Sequence, residues 1–332
     1  MSGEVESAGE RTARSRRFAT IDLGTNTALL LVAEREQGRF KAILERAEIT
    51  RLGQGVDETR LLRPEAMRRS AEALAEYARL AADLGVEPKD IAAVTTSAAR
   101  DAQNSDELIA LVRDLAGIEL EIIPGETEAA LTYAGATADL DVSESAPLAV
   151  FDIGGGSSEL IYGTRTRHDF RHSFDVGSVR LTERFLRSDP PTPEEARALS
   201  DHLESLFAVA PKPHSPVTFV GVAGTVTTLF TILHAIEPYE TARVHRQRMG
   251  LQELRGLREK LFSLTVAERR ALKGIEPKRA DVIAAGAAIL EAAMAHVGAR
   301  ELTVSDRGLR WGLITARFGQ TENNEQRVSV HA

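Results

Sequence analysis

Cysteine is absent from all 332 residues. Without it there is no disulfide, no thiolate nucleophile and no zinc–cysteine site, which removes several enzyme classes at once. No apolar run reaches the ~18 residues that a membrane span needs. The first seventeen residues, MSGEVESAGERTARSRR, are polar with no apolar segment, and read as a disordered tail rather than a signal peptide. A cytoplasmic protein without a membrane partner is expected. Positive charge is also short: 41 Lys and Arg against 49 Asp and Glu leave a net charge of -8. That speaks against a general nucleic-acid binder, whose basic surface must displace counterions. A small polyanionic substrate stays compatible if the basic residues gather locally. The remaining composition, 43% hydrophobic and 27% charged, is that of a folded chain, and its length suits two domains rather than one core.

What is present begins with AVFDIGGGSSELIYG, residues 149 to 163, an apolar strand broken by three glycines and two serines and then resumed. With Gly154 to Ser157 as a hairpin turn, Ile153 faces Ser158 and Asp152 faces Glu159. The Cβ atoms of directly opposed residues stand roughly 5 Å apart on one sheet face. Like charges so placed are destabilising unless a cation or a shared proton lies between them. The glycine turn beside them offers a row of backbone N–H groups of the kind that binds anions. A metal next to an anion cradle points to phosphate chemistry.

The motif has an echo. FATIDLGTNTALLLV, residues 18 to 32, lies under LAVFDIGGGSSELIY with Asp22 on Asp152. Both read strand, Asp, apolar, Gly, small polar turn, strand, as in a duplicated domain whose hairpin tips share a cleft. Position 29 is Leu where the second copy has Glu159, so only the second hairpin has a facing carboxylate pair. Around the hairpins the pattern alternates. A helix over 64 to 84 is opened by Pro64 and followed by Gly85. A strand IAAVTTSAA, a helix over 106 to 116, a strand IELEIIP and, after Gly125, a helix ETEAALTYAGATA follow. TPEEARALSDHLESLF opens with a capping box from Thr192 to Glu195. VTFVGVAGTVTTLF and ELTVSDRGLRWGL each run from strand into helix, with the small-residue helix ADVIAAGAAILEAAMAHV between them. Such alternation is that of an α/β protein with mixed sheets flanked by helices. The cluster Arg165, Arg167, His168, Arg171 and His172 reads as a solvated loop.

IDLGTNT, RLGQGV, TSAARDAQN, GETEAAL, DIGGGSSEL, SFDVGSVRLTERF, GVAGTVTTL, RADVIAAGAAIL and VSDRGLRWG stand in that order. In them the chain resembles the exopolyphosphatase and guanosine pentaphosphate phosphatase (Ppx/GppA) family. The resemblance implies the actin, hexokinase and Hsp70 (ASKHA) fold of two ribonuclease-H-like domains. The first would comprise 18–125 with a returning helix at 308–320, the second 126–307, with a flexible tail at 321–332. The length matches the family's short form, without further helical C-terminal domains. The implied activity is an exopolyphosphatase with Mg²⁺ or Mn²⁺, hydrolysing the terminal phosphoanhydride of linear, short-chain polyphosphate. Guanosine pentaphosphate (pppGpp), cut at its 5′ end, is the nearest alternative substrate, with ppGpp as a related partner. A kinase-like phosphotransferase and a non-catalytic nucleotide-binding regulator stand further off, and a homodimer is left open.

Hydrolysis of a phosphoanhydride needs an oriented water and neutralisation of the transferring oxygens, with little covalent work by the protein. The family's Gly-x-x-Glu-Ala falls on Gly125, Glu128 and Ala129, which makes Glu128 the base; the residues alone do not separate it from Glu126. Asp152 and Glu159 map onto metal-associated carboxylates, and Arg100 and Arg279 onto phosphate-contacting arginines. The turns Gly24, Thr25, Asn26 and Thr27, then Gly154, Gly155, Gly156, Ser157 and Ser158, then Gly224 and Thr225, map onto phosphate cradles. Leu29 departs from the pattern, since many members carry Arg there, and Arg246 stands where glycine is common.

Overall fold

Two sheets repeat one connectivity. In the computed structural model, which describes residues 16–319, the first sheet holds β1 (Arg17–Leu23), β2 (Thr27–Glu36), β3 (Arg39–Ile49), β4 (Ile91–Thr95) and β5 (Leu120–Ile122), in the order β3-β2-β1-β4-β5. The second holds β6 (Leu148–Ile153), β7 (Ser158–Thr164), β8 (Arg167–Phe174), β9 (Thr218–Val222), β10 (Arg248–Gly250) and β11 (Glu301–Val304), in the order β10-β11-β9-β6-β7-β8. Reading each from its antiparallel hairpin edge, β3-β2-β1-β4-β5 and β8-β7-β6-β9-β11 match strand for strand, with β10 added at the far edge. Of the expected tails, Arg16 and Arg17 are described, Arg17 opening β1; the rest lies outside the described residues.

The hairpin register is the one expected. Asp152 pairs with Glu159 and Ile153 with Ser158, while Asp22 pairs with Leu29. Each central strand is apolar because both of its faces are covered. On the first sheet the helix Pro64–Asp83 lays Met67, Ala71 and Leu74 onto Ile21, Leu23 and Leu30, at the three-and-four spacing of a single helix face. In the second domain the helix Ile283–Val297 is buried on nearly all sides, which its Ala-rich composition permits. Helix Leu309–Phe318 returns to the first sheet, where Trp311 and Ile314 meet Phe18, Leu31 and Ala33. It crosses helix Gly125–Thr137 backbone to backbone: a Cβ on Gly312 would stand 1.8 Å from the Leu131 carbonyl oxygen. Only glycine allows that crossing, which joins the two domains behind the cleft.

Two local readings change, and one departure is explained. The stretch IAAVTTSAA is not one strand: β4 ends at Thr95, where its partner β5 ends at Ile122. Ser97–Asp101 then coils into a short helix whose Ala99 and Arg100 amides bond to the Thr96 carbonyl at 3.1 and 3.0 Å. The basic stretch at 167–172 is edge strand rather than loop, with Arg171 paired to Glu126 at 2.9 Å. Arg246 has φ of 64°, a left-handed conformation that glycine adopts without strain, which accounts for the glycine expected there.

Candidate active site

The two hairpin tips meet at the mouth of a cleft of about 670 Å³ between the domains. Their turns close alike: the Gly24 N–H bonds to the Thr27 carbonyl and the Gly154 N–H to the Ser157 carbonyl, both at 3.0 Å. The tips also touch. A Cβ on Gly156 would fall 2.6 Å from Ser97 Oγ and 2.8 Å from Thr25 Oγ1, so bare backbone is required where the second tip abuts the first domain. A third turn, Gly224 and Thr225 at the start of helix Ala223–Leu233, faces the same cleft; its Thr225 hydroxyl donates to the Ile153 carbonyl at 3.2 Å. Arg279 lies over Gly224 and donates from Nη2 to Thr27 Oγ1 at 3.0 Å, linking the third turn to the first.

Carboxylates complete the wall. Asp22 and Asp152 are the last residues but one of β1 and β6, and Glu128 sits in the first turn of helix Gly125–Thr137; all three line the cleft. Glu128 Oε2 accepts from Arg100 Nη1 at 2.7 Å, and the same guanidinium nitrogen holds the Ile123 carbonyl at 2.9 Å. Asp152 Oδ2 accepts from Thr132 Oγ1 at 3.2 Å. Asp22 Oδ1 is buried without any hydrogen-bond partner. Burial, the neighbouring charge of Glu128 and, more weakly, that of Asp152 push Asp22 up to about 8. Burial and then Glu128 push Asp152 up to about 7. Burial raises Glu128 as well, against which the Arg100 guanidinium works. Glu159 is raised well above the usual carboxylate range by burial, then by Glu128 and Asp152.

These shifts have one physical source: negative groups crowded out of water with too few cations among them. The donors are all carboxylate oxygens, which suit a hard divalent ion such as Mg²⁺ or Mn²⁺, and the orphaned Asp22 oxygen is where such a ligand would be used. Among the described residues no group of three His, Asp or Glu side chains is set to hold an ion.

Residues 31–320 match the Ppx/GppA phosphatase family. The chain belongs to that family. It is 37% identical over 322 residues to Exopolyphosphatase 2 of Mycobacterium tuberculosis, covering 91% of this chain and 99% of that one. Among solved structures, an Aquifex aeolicus member of the Ppx/GppA family superposes with a TM-score of 0.76 at 31% identity, covering 96% of this chain and 99% of that one. An exopolyphosphatase from Cytophaga hutchinsonii superposes at 0.82 with 28% identity, covering 92% of this chain and 98% of that one. Both likenesses carry the ASKHA architecture of paired sheets, and membership makes this chain a hydrolase of phosphoric anhydrides.

Within that family frame, Gly24, Thr25, Asn26, Thr27, Gly154, Gly155, Gly156, Ser157, Gly224, Thr225, Arg279, Glu128 and Asp152 all border the cleft. Three expected residues do not. Ser158 is fully buried and its Oγ donates to the Val176 carbonyl at 2.7 Å, so it ties β7 down. Arg100 stands behind Glu128 with its guanidinium on that carboxylate, because the short helix at 97–101 turns it away from the opening. Glu159 lies beneath Asp152, 1% exposed, with Oε1 accepting from Ser173 Oγ at 2.7 Å. Glu126 is exposed and paired with Arg171, which separates it from Glu128. Asp22 and Arg310 were missed. Asp22 carried a signal, its match to Asp152, that was discounted for want of a facing carboxylate. Arg310, paired with Glu45 at 3.1 Å on the cleft wall, had none in the linear sequence.

Proposed function

We propose that this hydrolase is an exopolyphosphatase. The Arg100–Glu128 pair carries the reading: of Asp22, Asp152 and Glu128, the three carboxylates that converge on the turns, Glu128 is the one that accepts from an arginine, and it lines the cleft, where a water can reach it. Glu128 takes a proton from that water as its oxygen attacks the terminal phosphorus. The bridging P–O bond breaks, and the shortened chain leaves with the bridging oxygen. The three glycine turns and Arg279 hold the phosphate oxygens by backbone N–H groups and one guanidinium. Asp152 and Asp22 would hold the divalent ion, with Glu159, opposite Asp152 on the neighbouring strand, as a further negative group behind them. When bound, that ion supplies neutralisation of the phosphoryl oxygens.

Short chains are favoured. Beyond Arg279 and the turns, the cleft wall carries Glu45, Glu48, Glu276 and Asp306 beside Arg46, Lys278 and Arg310, with Glu45 paired to Arg310 and Glu48 to Lys278, so few of its cations are left to track a long polyanion, which favours distributive release. Guanosine pentaphosphate is the second reading, favoured by Tyr239, whose half-exposed ring on the cleft wall near Asp306 offers a stacking face that a bare polyphosphate leaves unused. Phosphate release from linear polyphosphates of several lengths and from the guanosine nucleotide, each with and without Mg²⁺, tests both. A gel ladder of intermediates fits distributive release; release from the nucleotide alone would overturn the first reading.

A further inference from the structure

The motif SFDVGSVRLTERF enters the site above through Ser173, which donates to Glu159, and it also holds an arginine bonded to both domains. Arg180, on helix Ser178–Phe185, has a side chain only 7% exposed. Its Nε donates to the Gly156 carbonyl at 2.7 Å, Nη1 donates to Asp57 and Nη2 to Asp101. One planar fork therefore joins the phosphate-cradling turn of the second domain to two carboxylates of the first. The start of the same helix is bonded to that turn as well: the Ser178 amide reaches the Gly154 carbonyl at 3.0 Å and the Val179 amide the Gly155 carbonyl at 2.9 Å. Around the fork, Arg184 adds a second guanidinium to Asp57 at 2.8 Å, and Glu183 accepts from the Gly55 amide at 3.1 Å. The seam they close retains about 10 Å³ of free space.

Besides the Arg100–Glu128 pair of the site, Lys278 to Glu48 at 2.7 Å also crosses the domains, with side chains 56% and 51% exposed, as does Arg51 to Asp281 at 2.9 Å, with side chains 32% and 30% exposed. Exposed pairs of that kind contribute little, whereas a planar guanidinium with matched carboxylates fixes a geometry. Resting on the hydrolase reading above, we propose that Arg180 is a positioning residue which couples closure of the two domains to the shape of the phosphate cradle. Asp57 and Asp101 reach the guanidinium only when the domains are together, and the Nε–H then fixes the Gly156 carbonyl, and with it the orientation of the neighbouring amides.

The two halves of this device separate kinetically with linear tripolyphosphate as probe. Asp57→Asn with Asp101→Asn removes the charges that favour closure but leaves the Gly156 contact. KM rises, roughly tenfold for a tenfold smaller closed population, while kcat holds. Arg180→Gln also frees the turn, and kcat falls about 10²-fold, the cost of a misplaced constellation. Arg180→Lys keeps a cation for the aspartates without the fork; it restores KM and leaves kcat low. A folded Arg180→Gln with wild-type kcat and KM overturns the proposal, as does a series in which only melting temperature moves. If Arg180→Gln fails to fold, the aspartate pair and Arg180→Lys decide by the same split. If the wild type releases no phosphate from tripolyphosphate, the polyphosphate reading has failed separately. Small-angle scattering then judges the latch: wider particles for the Asp57→Asn, Asp101→Asn variant support it, and unchanged profiles overturn it.

Discussion

At the first hairpin Asp22 faces Leu29, and at the second Asp152 faces Glu159, on turns closed by the same bond at the same length. The backbone was kept and the chemistry was not. Leu29 adds apolar surface beside Asp22, whereas Glu159 stacks a second carboxylate under Asp152. Both aspartates end with raised pKa values, about 8 and about 7, although only one has an acidic neighbour on its own hairpin. Burial at the shared cleft, the largest cause at each, dominates over the facing partner. Equivalent strand ends thus impose equivalent electrostatic need, and the side chain at the facing position decides how it is met.

The largest test concerns the group that belongs to neither hairpin. Glu128→Gln keeps the shape and the Arg100 contact but cannot take a proton, and turnover should fall about 10²- to 10⁴-fold. Glu126→Gln, on an exposed side chain, should leave turnover unchanged. Equal losses in the two variants would remove Glu128 as the specific base. Next is the second hairpin's own asymmetry. Glu159→Gln should weaken Mg²⁺ dependence by about 10- to 100-fold, the usual effect of altering a group behind a metal ligand. Leu29→Gln, the matching change in the first hairpin, should move the Mg²⁺ titration far less; the reverse order would place the ion on the first hairpin.

Much of this was legible beforehand, for reasons that differ by feature. The hairpin register follows from period-two alternation and turn length, so Asp152 opposite Glu159 could be read directly. The capping box at Thr192 and Glu195 is local and formed as expected. Arg100 was expected at the phosphates, whereas the structure sets its guanidinium on Glu128, because the ending of β4 at Thr95 is set by pairing with β5, a partner 27 residues away in register. Arg180 acts across the two domains, and Arg310 reaches from the returning helix to Glu45 on the first sheet. Nothing in their neighbours in sequence encodes a partner at Asp57, Asp101 or Glu45, and only the packing of the sheets brings these together.

The glycine turns offer a smaller steric contrast. An added Cβ at Gly156 meets Ser97 and Thr25 of the opposite domain at under 3 Å, while at Gly24 it meets only the Thr27 carbonyl at 3.3 Å. Gly156→Ala should cost about 1–3 kcal/mol of stability or the equivalent in domain closure, and Gly24→Ala less than ~1 kcal/mol. Chemical denaturation of both variants checks the ranking. Asp22 gives a pH test of similar kind. Its folded pKa of about 8 lies above the ordinary 3.8, so the native state holds a proton that the unfolded chain releases. Stability is then fully present below pH 3.8 and declines as pH rises toward about 8. Asp22→Asn does not titrate and should melt higher than wild type at pH 8 without Mg²⁺, by on the order of 1 kcal/mol or a few degrees. The gap should narrow at pH 5 and when Mg²⁺ is added; a lower melting point at pH 8 would mean that Asp22 has a cationic partner in solution.

The smallest expected effect fills the position at which the hairpins differ. Leu29→Arg sets a guanidinium directly opposite Asp22, roughly 5 Å away at Cβ, and on the cleft wall. An opposite charge favours the ionised carboxylate, so the pH dependence of melting attributed to Asp22 should shrink. The same guanidinium has donors to spare, since a carboxylate engages two of its five N–H groups, and the others face the substrate. KM for linear tripolyphosphate should therefore fall, by about fivefold for a contact near 1 kcal/mol. Each added phosphate contact also steepens the salt dependence of binding, by analogy with polyanions that release counterions. The two readouts together say where the arginine goes. A lower KM with a steeper salt slope means that it reaches phosphate, and flattened pH dependence with KM unchanged means that Asp22 holds it. If neither moves, position 29 does not communicate with the cleft, and the difference between the hairpins lies wholly in Glu159.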